Sequence, residues 1–138
     1  MTTQYKVDEE TAEDDFLRMC AGRRIDTNID DMSPRERKDF LSTKAEMVRL
    51  IRQGRLEVAE DGVKVTYRTY CGQSFTLKKA GGSTFLALET HGPDKRIANL
   101  YEALADMAGV ASKKFSALEE IGDIKALTAL AGLFLAPQ

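Results

Sequence analysis

The chain has 138 residues, with 20 basic and 22 acidic side chains, one histidine and a formal net charge of −2. Its length is that of one ordinary domain. A composition 43% hydrophobic and 30% charged supports a buried core, and it excludes a disordered, collagen-like or membrane-spanning chain. No apolar run approaches the ~20 residues that cross a bilayer, and no signal-peptide pattern opens the chain. Cys20 and Cys71 form no CxxC pair and no metal-ligand spacing. A cytoplasmic protein with reduced thiols is expected.

The charge total hides three segments. Residues 1–33 carry −5, residues 34–79 carry +5 and residues 80–138 carry −2. The first dozen residues, with Asp8, Glu9, Glu10, Glu13, Asp14 and Asp15, read as a solvated lead-in. Phe16, Leu17, Met19 and Cys20 follow as a short helical turn ended by Gly22. An acidic, partly flexible leader over 1–33 is expected ahead of one α+β domain over 34–138. Ser33-Pro34 with Glu36 is a capping box with proline at the first helical position. Phe40, Met47, Leu50 and Ile51 then recur at helical spacing, which predicts a helix over 34–53.

The period changes after Gly54. Leu56 to Ala59 is a short extended run, and Asp61-Gly62 is a two-residue hairpin signal requiring positive φ at both positions. Val63, Val65, Tyr67 and Thr69 alternate with polar residues, as do Phe75 and Leu77. The pattern predicts an antiparallel meander of about three strands over 56–79, one face of which needs a helical cover. Helices are predicted over 83–90, over 94–108 with Asp94 as cap, over 112–119, and over 123–135. The 94–108 stripe is Ile97, Leu100, Tyr101, Leu104, Met107 and Ala108. From Ala126 to Ala136 there is no charge.

Chemistry-bearing clusters are sparse. His91 is the sole histidine, sits in a Thr-His-Gly-Pro turn and reads as a surface residue; it has no second histidine for a zinc motif. Ala80-Gly81-Gly82-Ser83-Thr84 lacks the GxxxxGK[ST] spacing, with Lys78 and Lys79 before the glycines, and reads as a strand-to-helix turn. The acid cluster at 8–15 lacks the order of a calcium loop. Glu36, Asp39 and Glu46 interleave with the basic run Arg35, Arg37, Lys38, Lys44, Arg49, Arg52 and Arg55, as on a solvated helix face. No convergent acid, base and nucleophile emerges, so neither an enzyme nor a cofactor or metal is expected. Residues 101–118 imitate a helix-turn-helix, with Ala105, Gly109, Val110 and Leu118 in place. Phe115 stands where a β-branched residue is usual, and Glu119-Glu120 would face phosphates, so nucleic acid is not expected as a partner. The uncharged last helix has apolar residues over most of its circumference, more than a surface helix needs.

The segment Lys95-Arg96-Ile97-Ala98-Asn99-Leu100-Tyr101-Glu102-Ala103-Leu104-Ala105-Asp106-Met107-Ala108-Gly109-Val110 is followed by Phe115-Ser116-Ala117-Leu118. Asp123 and the apolar run to Phe134-Leu135 come next. With the preceding Phe75-Thr76-Leu77-Lys78-Lys79, this order resembles the tail assembly chaperones of long-tailed bacteriophages, over about residues 56–136. The resemblance implies a small α+β or helical adaptor that is non-catalytic and often a homo-oligomer. It implies action in the host cytoplasm on a tape measure protein and on tail tube subunits. Leu127, Leu130, Leu133 and Phe134 are the expected partner or self-contact residues. A helix-turn-helix regulator over 101–118 and a structural subunit of the tail or connector are the alternatives.

Overall fold

The structure, a computed structural model, describes residues 5–135. Residues 1–4 and 136–138, the outer ends of the expected 1–33 and 34–138 divisions, lie outside the described residues. Among the described residues there are six α-helices, one 3-10 turn and a three-stranded antiparallel sheet of order β1-β2-β3. The strands are β1 (Leu56–Val58), β2 (Val65–Arg68) and β3 (Ser74–Leu77). Leu56 pairs with Tyr67 and Val58 with Val65 across the first two. The α+β class expected from the sequence is the one observed.

The chain divides into two compact units, one running to Tyr67 and the other from Arg68. The division expected after residue 33 is therefore not where the chain separates, and the acidic leader is built into the first unit. There, α1 (Glu9–Gly22) is a 14-residue helix, longer than the short turn expected. Asp8 caps it by accepting the Thr11 N–H at 2.7 Å, and this bond holds the Asp8 carboxyl below the usual carboxylate range. The lead-in is helical because Ala12, Phe16, Met19 and Cys20 recur on one face and are buried. The acids occupy the remaining circumference, which makes the sequence look wholly solvated.

A 3-10 turn (Ile29–Asp31) leads to α2 (Pro34–Arg52). Its capping box is present: Ser33 Oγ accepts the Glu36 N–H and Glu36 Oε1 accepts the Ser33 N–H, each at 3.2 Å. The helix ends one residue before the predicted stop. Phe16 meets Phe40 at 6.0 Å between ring centroids, Glu13 reaches Lys44 at 3.7 Å, and the Arg52 guanidinium lies 3.9 Å over the Tyr5 ring. Rising residue numbers on one helix thus meet falling ones on the other, so α1 and α2 are an antiparallel pair, and both pack on β1.

The β1–β2 connection is longer than the two-residue hairpin expected. Gly62 N–H closes on the Ala59 carbonyl at 2.9 Å, and Ala59 N–H on the Lys64 carbonyl at 2.9 Å. Only Gly62 has positive φ, +75°. The Asp61 carboxylate accepts the Val63 and Lys64 N–H groups, which lowers its pKa and makes a side-chain turn where backbone inversion was expected.

Burial also acts on Cys20, whose thiol is pushed up to about 12 from 9.0. The neutral thiol is the form the folded chain favours. Its contribution to stability is whole below about pH 9 and is lost as pH rises from there toward 12. Urea unfolding across that window should show a decline that is smaller in Cys20→Ala. At neutral pH a maleimide should label exposed Cys71 in the folded protein and Cys20 only after unfolding.

In the second unit, α4 (Arg96–Ala108) packs against β3, α3 (Gly82–Ala87), α5 (Lys113–Ser116) and α6 (Ile121–Phe134). The predicted 83–90 helix is shortened to six residues. The predicted Asp94 cap is not used: the N-cap is Lys95 and makes no side-chain bond. The predicted 112–119 helix is a single turn, and α6 begins at Ile121, two residues before its predicted start. Asp123, expected to introduce that helix, lies inside its first turn and is buried, where its carboxylate accepts the Tyr70 N–H at 3.2 and 3.3 Å.

Candidate partner-binding surface

The residues expected to meet a partner are in the core of the second unit. Leu127, Leu130, Leu133 and Phe134 are all buried, at 1%, 0%, 8% and 8% exposure. This corrects their assignment as a contact surface. Asp123, Ala126 and Ala131 on α6 are buried as well. A helix apolar all round reads equally as a core helix or a docking helix, and here it is core.

Ile121, the first residue of α6, is 62% exposed, and the unit has further exposed apolar side chains away from that helix. Phe85 and Leu86 on α3 are 54% and 72% exposed, and Ile97 on α4 is 48% exposed. Polar groups fix their outward direction. The Thr84 hydroxyl, itself buried, donates to Asp106 Oδ2 at 2.6 Å and accepts the Gly81 N–H at 3.0 Å. The Ser83 hydroxyl donates to the same Asp106 oxygen at 3.0 Å. With Ser83 and Thr84 tied to α4, the next two residues of so short a helix cannot also face inward. The glycine-serine-threonine stretch thus serves as a strand-to-helix turn.

A second clamp holds the turn between the two helices. Asn99 is buried; its Oδ1 accepts the His91 N–H at 2.9 Å and its Nδ2 donates to the Gly92 carbonyl at 2.8 Å. Asn99 takes the inward place that the 94–108 stripe gave to Ile97, which turns that face of α4 relative to the prediction. The His91 ring is exposed, with Nε2 3.9 Å from Glu102 Oε2. Asn99→Leu should lower the unfolding free energy by about 1–3 kcal/mol, since it strands a donor and an acceptor, and urea denaturation reads the loss. Beside this clamp lies a groove of about 540 Å³ walled by Leu88, Pro93, Leu100, Ala131, Gly132 and Leu135. The C-terminal turn of α6 therefore reaches the surface through Gly132 and Leu135, not through the four residues expected.

The helix-turn-helix reading loses its second helix. α5 is four residues long, and Phe115 is buried with its ring 4.6 Å from that of Phe75. Gly109, with φ +68°, ends α4 by donating to the Ala105 carbonyl at 2.8 Å. The small-residue-to-glycine spacing that imitated a DNA-binding turn is a left-handed helix stop. One helical turn spans about 6 Å and cannot lie along a major groove. Among the described residues no three His, Cys, Asp or Glu side chains are placed to hold a metal ion, and no helix is long and apolar enough to cross a membrane.

Two signals for this surface were available in the sequence. Phe85-Leu86 is an adjacent apolar pair on a segment too short to bury both, and Asn99 interrupts an otherwise apolar helix just after a Gly-Pro turn. No protein-family model, curated protein or solved structure matches the chain.

Proposed function

We propose that the chain is a bacteriophage tail assembly chaperone, a non-catalytic adaptor that binds the tape measure protein and helps recruit tail tube subunits around it. Two supports stand behind this reading. One is the resemblance carried by residues 75–79, 95–110, 115–118 and 123–135. The other, which carries the most weight, is the exposure of Phe85 and Leu86 on α3 and of Ile97 on α4, in a unit that also has a groove lined by Leu88, Arg96, Leu100 and Leu135. Fully burying an aromatic or aliphatic side chain is worth about 1.5–3 kcal/mol. Three such residues on a polar-clamped scaffold can anchor an apolar helical stretch of another chain and keep it from aggregating. The charged remainder of the molecule keeps the complex in solution.

Co-expression with the long, helical tape measure protein tests the proposal. A tape measure protein that moves from the pellet to the soluble fraction, and co-purifies with this chain, is the expected result. A tape measure protein whose solubility is unchanged contradicts it, most plainly if this chain instead binds duplex DNA in a salt-dependent manner.

A further inference from the structure

The groove bounded by the start of α4 and the end of α6 joins apolar walls to a single cation. It holds about 540 Å³, the size of small-molecule sites. Leu88, Pro93, Leu100, Ala131, Gly132 and Leu135 give it apolar walls. Asn99 reaches it too, but both ends of its amide are bonded to the 91–92 turn. An apolar occupant therefore strands no polar group on these walls. Arg96 is the one charged residue among the described residues that line the groove. It is exposed and has no ion-pair partner among the described residues.

Gly132 keeps the groove open. Glycine is a poor helix former, yet it stands in the last turn of α6. A β-carbon at this position would meet no atom within 4 Å. No neighbour demands the missing side chain, and a larger residue there would fill the groove.

The charged end belongs to α4. Arg96 is the first residue of that helix, and the first helical bond runs from the Asn99 N–H to the Lys95 carbonyl at 2.9 Å. The N–H groups of Arg96, Ile97 and Ala98 have no acceptor among the described residues. No side chain caps the helix, and its first turn carries no acid. Guanidinium and helix start thus place positive charge at the same end of the groove. A guanidinium takes a carboxylate through two parallel hydrogen bonds. One cation balances one carboxylate, whereas a phosphate monoester, at about −1.5 to −2, would bring excess charge into an apolar groove. We propose that this groove binds a small aliphatic carboxylate, with its chain along Leu100, Gly132 and Leu135 and its head at Arg96. The proposal goes beyond the tape measure reading, since Phe85 and Leu86 do not line the groove.

Calorimetric titration of the full chain with octanoate at neutral pH tests it. One octanoate per chain should bind, with a Kd at or below about 1 mM. Octanol has the chain without the charge, and butyrate has the charge on a short chain. Each should bind more weakly by about tenfold or more. Octyl phosphate should bind less tightly than octanoate. Arg96→Gln removes the cation and Gly132→Leu fills the chain site, and each should weaken octanoate by about tenfold or more. Both positions are exposed, so the urea midpoint of either variant should not fall below that of the native chain.

Octanoate heats that do not saturate in the millimolar range overturn the proposal. So does binding unchanged in either variant at native stability, which would put the octanoate elsewhere. Octanol or octyl phosphate binding as tightly as octanoate overturns the assignment of a carboxylate. A leucine-terminated peptide that binds where octanoate does not would make the groove a receptor for a polypeptide C-terminus, and would overturn it as well.

Discussion

Leu130→Ala is expected to lower the unfolding free energy by about 2–5 kcal/mol, the range for removing a buried leucine from a packed core. Leu130 has no exposed surface and lies midway along α6, whose inward face is shared with α4. Leu86→Ala removes the same atoms from a side chain 72% exposed, and its effect on stability should be within about 0.5 kcal/mol. The contrast separates core from contact surface in a way that hydrophobicity along the chain cannot. If α6 were the docking helix, Leu130→Ala would be mild for folding and severe for binding. The burial of Leu127, Leu130, Leu133 and Phe134 requires the reverse. Chemical denaturation of the two variants reads the difference directly.

The other large effect is expected at Gly62. Gly62 and Gly72 both have positive φ, +75° and +93°, where a β-carbon costs about 1–2 kcal/mol in strain. Gly72 faces open space, and Gly72→Ala should show only that cost. A β-carbon at Gly62 would collide with the backbone carbonyl of Arg18 on α1. That carbonyl cannot swing aside easily, because the Arg18 side chain is itself anchored. Its guanidinium donates to the Val58 and Ala59 carbonyls at 2.9 and 3.0 Å and pairs with Asp15 at 2.9 Å. Gly62→Ala should therefore destabilise by about 3 kcal/mol or more, combining strain with a displaced helix. Gly22 meets the same turn from the other side, 2.8 Å from the Gly62 carbonyl carbon once a β-carbon is added, so Gly22→Ala should act in the same direction. Thermal unfolding of Gly62→Ala beside Gly72→Ala measures how much of the loss is contact and how much is backbone conformation.

Local signals carried most of the fold. The Ser33-Pro34-x-Glu36 box places the start of α2, Gly109 places the end of α4, and the alternation of Val65, Tyr67, Phe75 and Leu77 gives the sheet and its buried positions. What failed were features decided by contacts between distant residues. The acidic stretch 8–15 looks solvated because charge outnumbers the four buried apolar positions among the fourteen of α1, Ala12, Phe16, Met19 and Cys20. Asp61-Gly62 has the composition of a tight hairpin, yet the Asp61 side chain accepts two backbone N–H groups and widens the turn.

The α6 residues expected at a contact surface are buried for a related reason. Periodicity shows that α6 is apolar all round but not which elements cover it, and coverage decides between core and interface. The Phe85-Leu86 pair is visible in the sequence, but its outward direction follows from Thr84 being tied to Asp106, a bond spanning 22 residues. The helix-turn-helix imitation has the same origin. A glycine that stops a helix and a glycine that turns between two helices leave the same local spacing, and only the length of α5 distinguishes them.

The most direct test of the account pairs binding with stability in one variant. Phe85→Ser/Leu86→Ser removes the two outward apolar side chains from α3 while keeping the Ser83 and Thr84 bonds to Asp106. Co-purification with the tape measure protein should fall at least tenfold in this variant, with the urea midpoint unchanged from that of the native chain. Undiminished co-purification at native stability would contradict the placement of the partner surface on α3 and α4.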